Sequence, residues 1–496
     1  MPEVQQSHAR RRLVLAACMM ATFTAAVEIT IVATAMPTIV ADLHGADLYS
    51  WVFSAYLLTQ AVTIPIYGRL ADLHGRKRVF VAGSALFLIG SLLCGFANGM
   101  TLLIVFRAVQ GVGAGAVQPI AYTIVGDIYT PVERARIQGM LSGVFGVAAI
   151  VGPSLGAFLV EAGNWRTVFW VNLPVSAAAI AMVIAFLRES RTPRRHQIDY
   201  RGTVLLAVAI SAIVFAADRG RYVGWGYAAI AVAVGVAALA VLLRHERRIA
   251  EPILPLDLWR QRIIMVASLG GFALGATIMS ITAFLPSFIQ GAMGRSAAEA
   301  GTAIGIMTVV WTFGSVSAGR LMVYFTYRTI ACTGAVAIVA GALVLASLDP
   351  LSSVVHVVLG ASVLGAGLGF CNTTWVVSVQ SQVSYAQRGA ATSAVLFLRF
   401  LGQAIGAAVA GIVLATAMQR LAPAVSDPLG RLLRASGSDA AMTVPMRHLA
   451  FAVGDAFRGI FIMAALLGAA ILVLGSQLPR GISASTHARS AADSRS

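Results

Sequence analysis

Charge is what this sequence has least of. Asp, Glu, Lys and Arg make up 11% of the 496 residues, against roughly 25% in soluble globular proteins. Lysine is almost missing: Lys77 stands alone, and every other basic residue is arginine. Cysteine is scarce, with four in all (Cys18, Cys94, Cys332, Cys371), each inside an apolar stretch. They read as small packed residues, not as a redox or metal set. The eight histidines form no ligand-spaced cluster. What fills the chain instead is 58% hydrophobic residues, with a mean hydropathy of +0.83. So few charges could not cover a water-facing surface. A soluble enzyme, a disordered chain and a disulfide scaffold are excluded as the main body, and the composition is that of an all-α polytopic membrane protein.

The formal net charge is +16. That balance would suit a nucleic-acid partner, but its placement argues against one. The arginines sit mostly in short connectors between apolar stretches, the pattern that orients membrane helices. A spanning helix needs about 20 apolar residues, and fourteen such stretches are readable: 13–36, 49–68, 79–98, 101–125, 138–160, 166–187, 203–218, 226–243, 263–286, 298–319, 329–348, 354–378, 389–416 and 456–478. Arg10, Arg11 and Arg12 precede the first, and no small-residue cleavage site follows it, so it reads as a span and not a signal peptide. An even count puts both termini on one side, and a cytoplasmic N-terminus gives a roughly threefold excess of basic residues inside.

The expected organisation is a cytoplasmic tail 1–12, a six-helix bundle 13–190, a linker 191–262 carrying two inserted spans, a second six-helix bundle 263–478 with an extracytoplasmic loop 419–455, and a cytoplasmic tail 479–496. A weak repeat supports two related halves: Gly68-Arg69-Leu70 closes the second span and Gly319-Arg320-Leu321 the tenth.

Of the 20 acidic residues only Glu28 lies deep in a span. An ionised, unpaired carboxylate there costs at least a few kcal/mol. A group that is neutral when dry and charged when wet has the property a proton carrier needs. The bland alternative is a Glu satisfied by nearby Thr or backbone groups. Counting ~1.5 Å per residue places Glu28 about 22 Å from the inner boundary and Arg107 about 9 Å from the outer one, which is one level in a core ~30 Å thick. Arg107 is therefore expected to tune Glu28 and help expel its proton, although a helix-packing contact would also satisfy it. Arg399 sits near mid-depth in the thirteenth span, where it could hold an anionic group or cap broken backbone.

The fifth span carries Gly143, Gly146, Gly152, Pro153 and Gly156. Proline removes a backbone hydrogen bond and glycine rows admit a neighbouring backbone, so this helix is expected to be bendable and closely packed. The connector from Gly68 through Arg69, Asp72, Gly75 and Arg76 to Arg78 places one acid among cations and a glycine at a tight turn. Asp72 there is expected to pair with arginine or meet a helix N-terminus, latching the cytoplasmic side shut.

These segments resemble the major facilitator superfamily, and within it the fourteen-helix drug:proton antiporters of the EmrB/QacA type. The resemblance covers nearly the whole chain. Gly68 to Arg78 is similar to the superfamily's first signature, Arg107, Gln110 and Gly111 to that of the fourth helix, and Gly152-Pro153-x-x-Gly156 to the antiporter signature of the fifth, with Ala157 replacing its usual second terminal glycine. Glu28 to Pro37 is similar to the subgroup's first helix, which usually has Asp where Glu28 stands, and Asn164 to Pro174 also resembles that subgroup.

The resemblance implies a major facilitator fold of two six-helix bundles plus two inserted helices, alternating access, and proton-driven export of lipophilic, often cationic compounds across the cytoplasmic (inner) membrane. It implies no cofactor beyond the proton gradient. Protons, small lipophilic substrates and membrane lipids are the expected partners, with room for a periplasmic adaptor protein. A single deep carboxylate suggests that proton and cationic substrate compete for it. Pocket candidates are Gln60, Gln118, Trp311, Phe370, Asn372, Trp375, Phe397 and Arg399, each equally at home in helix packing. Rival readings are export of a lipid or an endogenous metabolite, uptake by proton symport, and an intramembrane enzyme. The last lacks any nucleophile–base or metal constellation at one depth.

Overall fold

The structure is a computed structural model. It describes residues 8–43, 49–161, 164–189, 199–223, 225–246, 248–249, 256–295, 297–384, 387–421 and 444–479. Every regular element among them is helical: α1 (His8–Leu43), α2 (Tyr49–His74), α3 (Arg76–Gly95), α4 (Met100–Ile128), α5 (Pro131–Glu161), α6 (Thr167–Trp170), α7 (Asn172–Phe186), α8 (Tyr200–Val223), α9 (Trp225–Glu246), α10 (Leu256–Arg260), α11 (Arg262–Ser287), α12 (Ala297–Leu321), α13 (Tyr327–Ala346), α14 (Val354–Gln382), α15 (Arg388–Leu421) and α16 (Val444–Ser476). A π-helical turn, Phe288–Ala292, continues α11 just after Pro286.

A bilayer offers its backbone amides no water, so each segment closes its own hydrogen bonds as a helix. Hydroxyls obey the same constraint. Thr22, Thr59, Thr63 and Thr123 each donate to the carbonyl four residues back at 2.7 to 2.8 Å. Large apolar side chains face outward: Phe158, Leu466 and Val355 are 67%, 66% and 66% exposed, as suits a surface wetted by lipid. Among the described residues, 11 helices are long and apolar enough to cross a membrane.

Most of the helices outrun the apolar stretches that announce them. α1 starts at His8 and covers the arginines expected in the tail, because Arg11 is tied down by Glu133 at 2.5 Å. Its 36 residues extend ~54 Å, so its ends protrude from a ~30 Å core. The stretch 166–187 is two helices instead of one, α6 and α7. Pro174, the third residue of α7, has no N–H to offer and sits in the first turn, where none is needed. The expected loop 419–455 is also shorter, since α15 runs to Leu421 and α16 starts at Val444. Residues 422–443 lie outside the described residues.

Two compact units result: unit 1 is Met1–Met265 with Val379–Phe397, and unit 2 is Val266–Ser378 with Leu398–Ser496. The helices α8 and α9 belong to unit 1, where the rings of Trp51 on α2 and Phe215 on α8 meet at 6.2 Å.

Glycines set the internal spacing of both units in the same way. In unit 1 a Cβ on Gly113 would fall on the Phe87 amide and 2.7 Å from the Gly83 carbonyl, while Cβ atoms on Gly111 and Gly115 would crowd the carbonyls of Tyr56 and Gln60. In unit 2, Gly367 meets the Ile338 amide and the Gly334 carbonyl, and Gly365 and Gly369 meet the carbonyls of Met307 and Trp311. Phe87 to Ile338 is an offset of 251 (338 − 87), as is Gly68 to Gly319 (319 − 68). The helix pairs α3–α4 and α13–α14 are thus one design used twice. Gly113→Val is expected to cost unit 1, and Gly367→Val unit 2, about 1–3 kcal/mol by overpacking. Gly301→Ala faces open space and is expected to be neutral or slightly stabilising. Thermal melts in detergent check this, and a harmless Gly113→Val would refute the close approach.

Candidate functional site

The site in unit 1 is assembled at the point where α1 is crossed by α4 and α7. Glu28 and Arg107 are fully buried, with Arg107 Nη1 2.8 Å from Glu28 Oε1. The same Nη1 donates to Gln110 Oε1 at 2.7 Å, and Arg107 Nε donates to the Val52 carbonyl at 3.1 Å. The guanidinium lies 4.2 Å from the centroid of the Tyr56 ring. Asn172 Nδ2 donates to the second carboxylate oxygen, Oε2. The break between α6 and α7 puts Asn172 at a helix start, and Ser176 one turn on meets Thr24 Oγ1 at 3.2 Å. The helices α1, α4 and α6 carry Val27, Ile31, Leu103 and Phe169, members of one buried hydrophobic cluster. In that setting, attraction between the two charges is strong and the loss of either partner is costly.

Gly152 explains how α5 reaches α1: a Cβ there would overlap the Thr30 side chain. Thr30 Oγ1 donates to the Ala148 carbonyl at 3.3 Å. Gly143, Gly146 and Gly156 are buried on α5, and the side chain of Pro153 lies outside the described residues.

The connector after α2 forms a second cluster within unit 1. Asp72 Oδ1 accepts from Arg76 Nη2 at 2.9 Å and from the Gly389 amide at 3.2 Å, and Oδ2 accepts from the Ala390 amide at 2.8 Å. The carboxylate thus caps the N-terminus of α15, where the helix dipole favours negative charge. Arg76 Nε lies 3.1 Å from Asp127, which Arg388 Nη1 holds at 2.7 Å. Burial pushes the Asp72 carboxyl up to about 7, against the opposing pull of Arg76 and of the Ala390 and Gly389 amides. Gly68 is required because a Cβ would collide with Ser393. Gly75 has φ 92° and caps α3, in the left-handed region where glycine carries no penalty. Arg69 is half-buried on α2.

Lys77 also acquires a role in this cluster. Its Nζ donates to the carbonyls of Ile184 at 2.6 Å and Leu187 at 3.0 Å, at the end of α7. In return Glu189 accepts from the Arg76 amide at 2.7 Å and the Lys77 amide at 3.3 Å, at the start of α3. A cation thus sits on a helix C-terminus and an anion on a helix N-terminus, each where the dipole wants it.

The pocket candidates divide between the units. Gln60, Gln118 and Phe397 are buried in unit 1, and Asn372, Trp375 and Arg399 in unit 2, where Trp311 and Phe370 are half-buried. Arg399 Nη1 donates to Asn372 Oδ1 at 2.6 Å and its guanidinium lies 5.2 Å from the Phe400 ring. Trp375 packs on Gly270 and Phe370 on Gly334, so both serve helix contacts. Asn172, Tyr56, Asp127, Arg388 and Glu189 were not among the expected site residues. An amide and a tyrosine inside apolar runs were the available hints.

Among the described residues, uniformly helical structure, outward-facing apolar side chains and a sealed acid–guanidinium pair are the marks of a polytopic membrane protein. A profile of the Major Facilitator Superfamily matches residues 18–407. Multidrug resistance protein 3 of Bacillus subtilis (strain 168) is 33% identical over 423 residues, 84% of this chain and 82% of that protein. Multidrug transporter protein MdtP of the same organism is 33% identical over 412 residues, 82% of this chain and 75% of that protein. Among solved structures, the human organic anion transporter MFSD10 (TETRAN) aligns with a TM-score of 0.62 at 15% identity, covering 92% of this chain and 99% of that one. The proton:xylose symporter XylE aligns at 0.62 and 11%, covering 94% and 96%. At those identities the likeness is one of fold alone. The chain belongs to the Major Facilitator Superfamily: it is a multi-pass membrane transporter and not an enzyme.

Proposed function

We propose that the protein is a proton-coupled antiporter of the fourteen-helix EmrB/QacA type, exporting lipophilic, often cationic compounds, drugs among them, across the cytoplasmic membrane by alternating access. Both relatives named for multidrug resistance or transport support the substrate class. The helix count is supported by α2, α5 and α8, of 26, 31 and 24 residues. Added to the 11 apolar candidates, they make fourteen, and each exceeds the about 20 residues a crossing needs. The arginine-rich connectors favour cytoplasmic termini.

The observation that carries the proposal is the Glu28–Arg107 pair, a fully buried carboxylate at 2.8 Å from a guanidinium. A guanidinium keeps its charge at any physiological pH, and a carboxyl does not. Proton arrival therefore breaks the ion pair and proton departure restores it, giving two arrangements of α1 against α4. Alternating access needs a two-state element of this kind, biased by the transported ion. The test is efflux of a lipophilic cation dye from vesicles holding purified protein under an imposed pH gradient. Glu28→Gln keeps an oxygen for Arg107 and is expected to abolish gradient-driven efflux while its thermal melt stays cooperative. Coupled efflux at wild-type rate would remove Glu28 as the carrier.

A further inference from the structure

We propose that Tyr56 is a positioning residue of the proton step: the face of its ring holds the Arg107 guanidinium in place while Glu28 is uncharged. The inference rests on the proposed coupling role of Glu28 and adds a residue to it. Arg107 has four neighbours in the site: the Glu28 carboxylate, the Gln110 side-chain oxygen, the Val52 carbonyl and the Tyr56 ring. Only the first changes charge on protonation. The other three form a neutral cradle that persists through the cycle.

The ring's share differs between the two states. With Glu28 ionised, the ring faces a guanidinium whose field is offset by a carboxylate 2.8 Å away. With Glu28 protonated, it faces a bare cation in a dry site, where a cation–π contact is strongest. The ring thus favours the protonated site over the ionised one. Tyr56 is fully buried, and its hydroxyl has no hydrogen-bond partner among the described residues, so the ring and not the hydroxyl carries the interaction. Gly111 makes the approach possible: a Cβ there would strike the Tyr56 carbonyl, so α2 and α4 could not close.

The other groups around Glu28 leave this arithmetic undisturbed. The charged or titratable neighbours among the described residues are Arg107 on α4, Tyr56 on α2 and Cys94 on α3. Toward α1, α5 presents Ala148 and Gly152, α6 presents Phe169, and α7 presents Asn172 and Ser176. None of these last five ionises.

The experiment follows dye efflux from vesicles as a function of pH for wild type, Tyr56→Phe, Tyr56→Leu and Glu28→Gln. Tyr56→Phe keeps the ring and is expected to match wild type within about twofold at every pH. Tyr56→Leu removes it and is expected to move the midpoint of the profile about one pH unit toward acid, the shift that a desolvated cation–π contact supports. If Tyr56→Leu does not fold, Tyr56→Met fills the same space without a π face and carries the same expectation. An unshifted profile in the ringless variant, or an equal shift in Tyr56→Phe, overturns the role of the ring. Those outcomes together with a dead Glu28→Gln leave the coupling proposal standing, whereas coupled efflux in Glu28→Gln overturns both.

Discussion

Glu28→Leu is expected to cost about 3–5 kcal/mol of stability, and Arg107→Met distinctly less, although both delete the same ion pair. The asymmetry follows from proton chemistry. A carboxyl left alone in an apolar interior takes up a proton and becomes neutral, whereas a guanidinium cannot shed its charge. Glu28→Leu therefore strands a permanent cation at a site with no exposed surface. Its remaining support is the Val52 carbonyl, Gln110 and the Tyr56 ring. Arg107→Met strands only a group that neutralises itself, with Asn172 still at its oxygen. The double variant Glu28→Leu, Arg107→Met should recover most of the stability, since buried pairs are often replaceable by apolar residues of similar size. Transport should remain dead in all three, because each lacks either the proton site or the charge that empties it. Chemical denaturation in mixed micelles measures the three costs. Equal losses in the two single variants, or no recovery in the double, would sink the account.

That comparison also shows what the sequence could disclose. A lone acid in an apolar run is visible from composition, and a count of helical rise put Arg107 at its level. In the structure the two are in contact. The rest of the site was hidden for specific reasons. Asn172 lies inside an apolar run, and nothing local marks it as a partner of Glu28, because the break that turns it there depends on how α6 meets α7. Tyr56 sits in a stretch where any aromatic reads as packing. The nearby Arg76 partner of Asp72 was legible, but its other two partners, the amides of Gly389 and Ala390, are 317 and 318 residues away, and no local pattern announces a contact of that span. Asp127 reads as an ordinary acid at a helix end, yet it bridges Arg76 and Arg388. Most helix ends lie beyond the expected boundaries, although α3, α7, α13 and α16 stop one to three residues short of theirs. Hydropathy marks where lipid contact ends, and hydrogen bonding carries the helix beyond it. The glycine repeat was faint as letters and plain as geometry, because only packing reveals which glycines are needed.

Asp72→Ala is expected to loosen the contact between the end of α2 and the start of α15 by about 10- to 150-fold. The substitution removes the acceptor of three donors: the Arg76 guanidinium and the amides of Gly389 and Ala390. Losing even one hydrogen bond to a charged group costs about 1.5–3 kcal/mol, which sets that range. Turnover should slow while substrate binding survives. The contact should also respond to pH, with a definite sign. Buried in this contact, the Asp72 carboxyl stands at about 7, against about 3.9 for a solvated aspartate. The raised value means that the closed arrangement holds the proton more tightly than the open one. The resulting stabilisation is complete below about pH 4 and is lost as pH climbs through 7. Acidifying the solution that bathes this contact should therefore tighten it, and alkalinisation should release it. Spin labels on the exposed positions His74 and Gln387 can follow it by distance measurement at pH 5 and pH 8. Wild type should show more of the short distance at pH 5, Asp72→Asn should show no pH response, and Asp72→Ala should show the long distance at both. A wild-type distribution that ignores pH, or a short distance kept by Asp72→Ala, would mean that the carboxylate does not hold α15 in place.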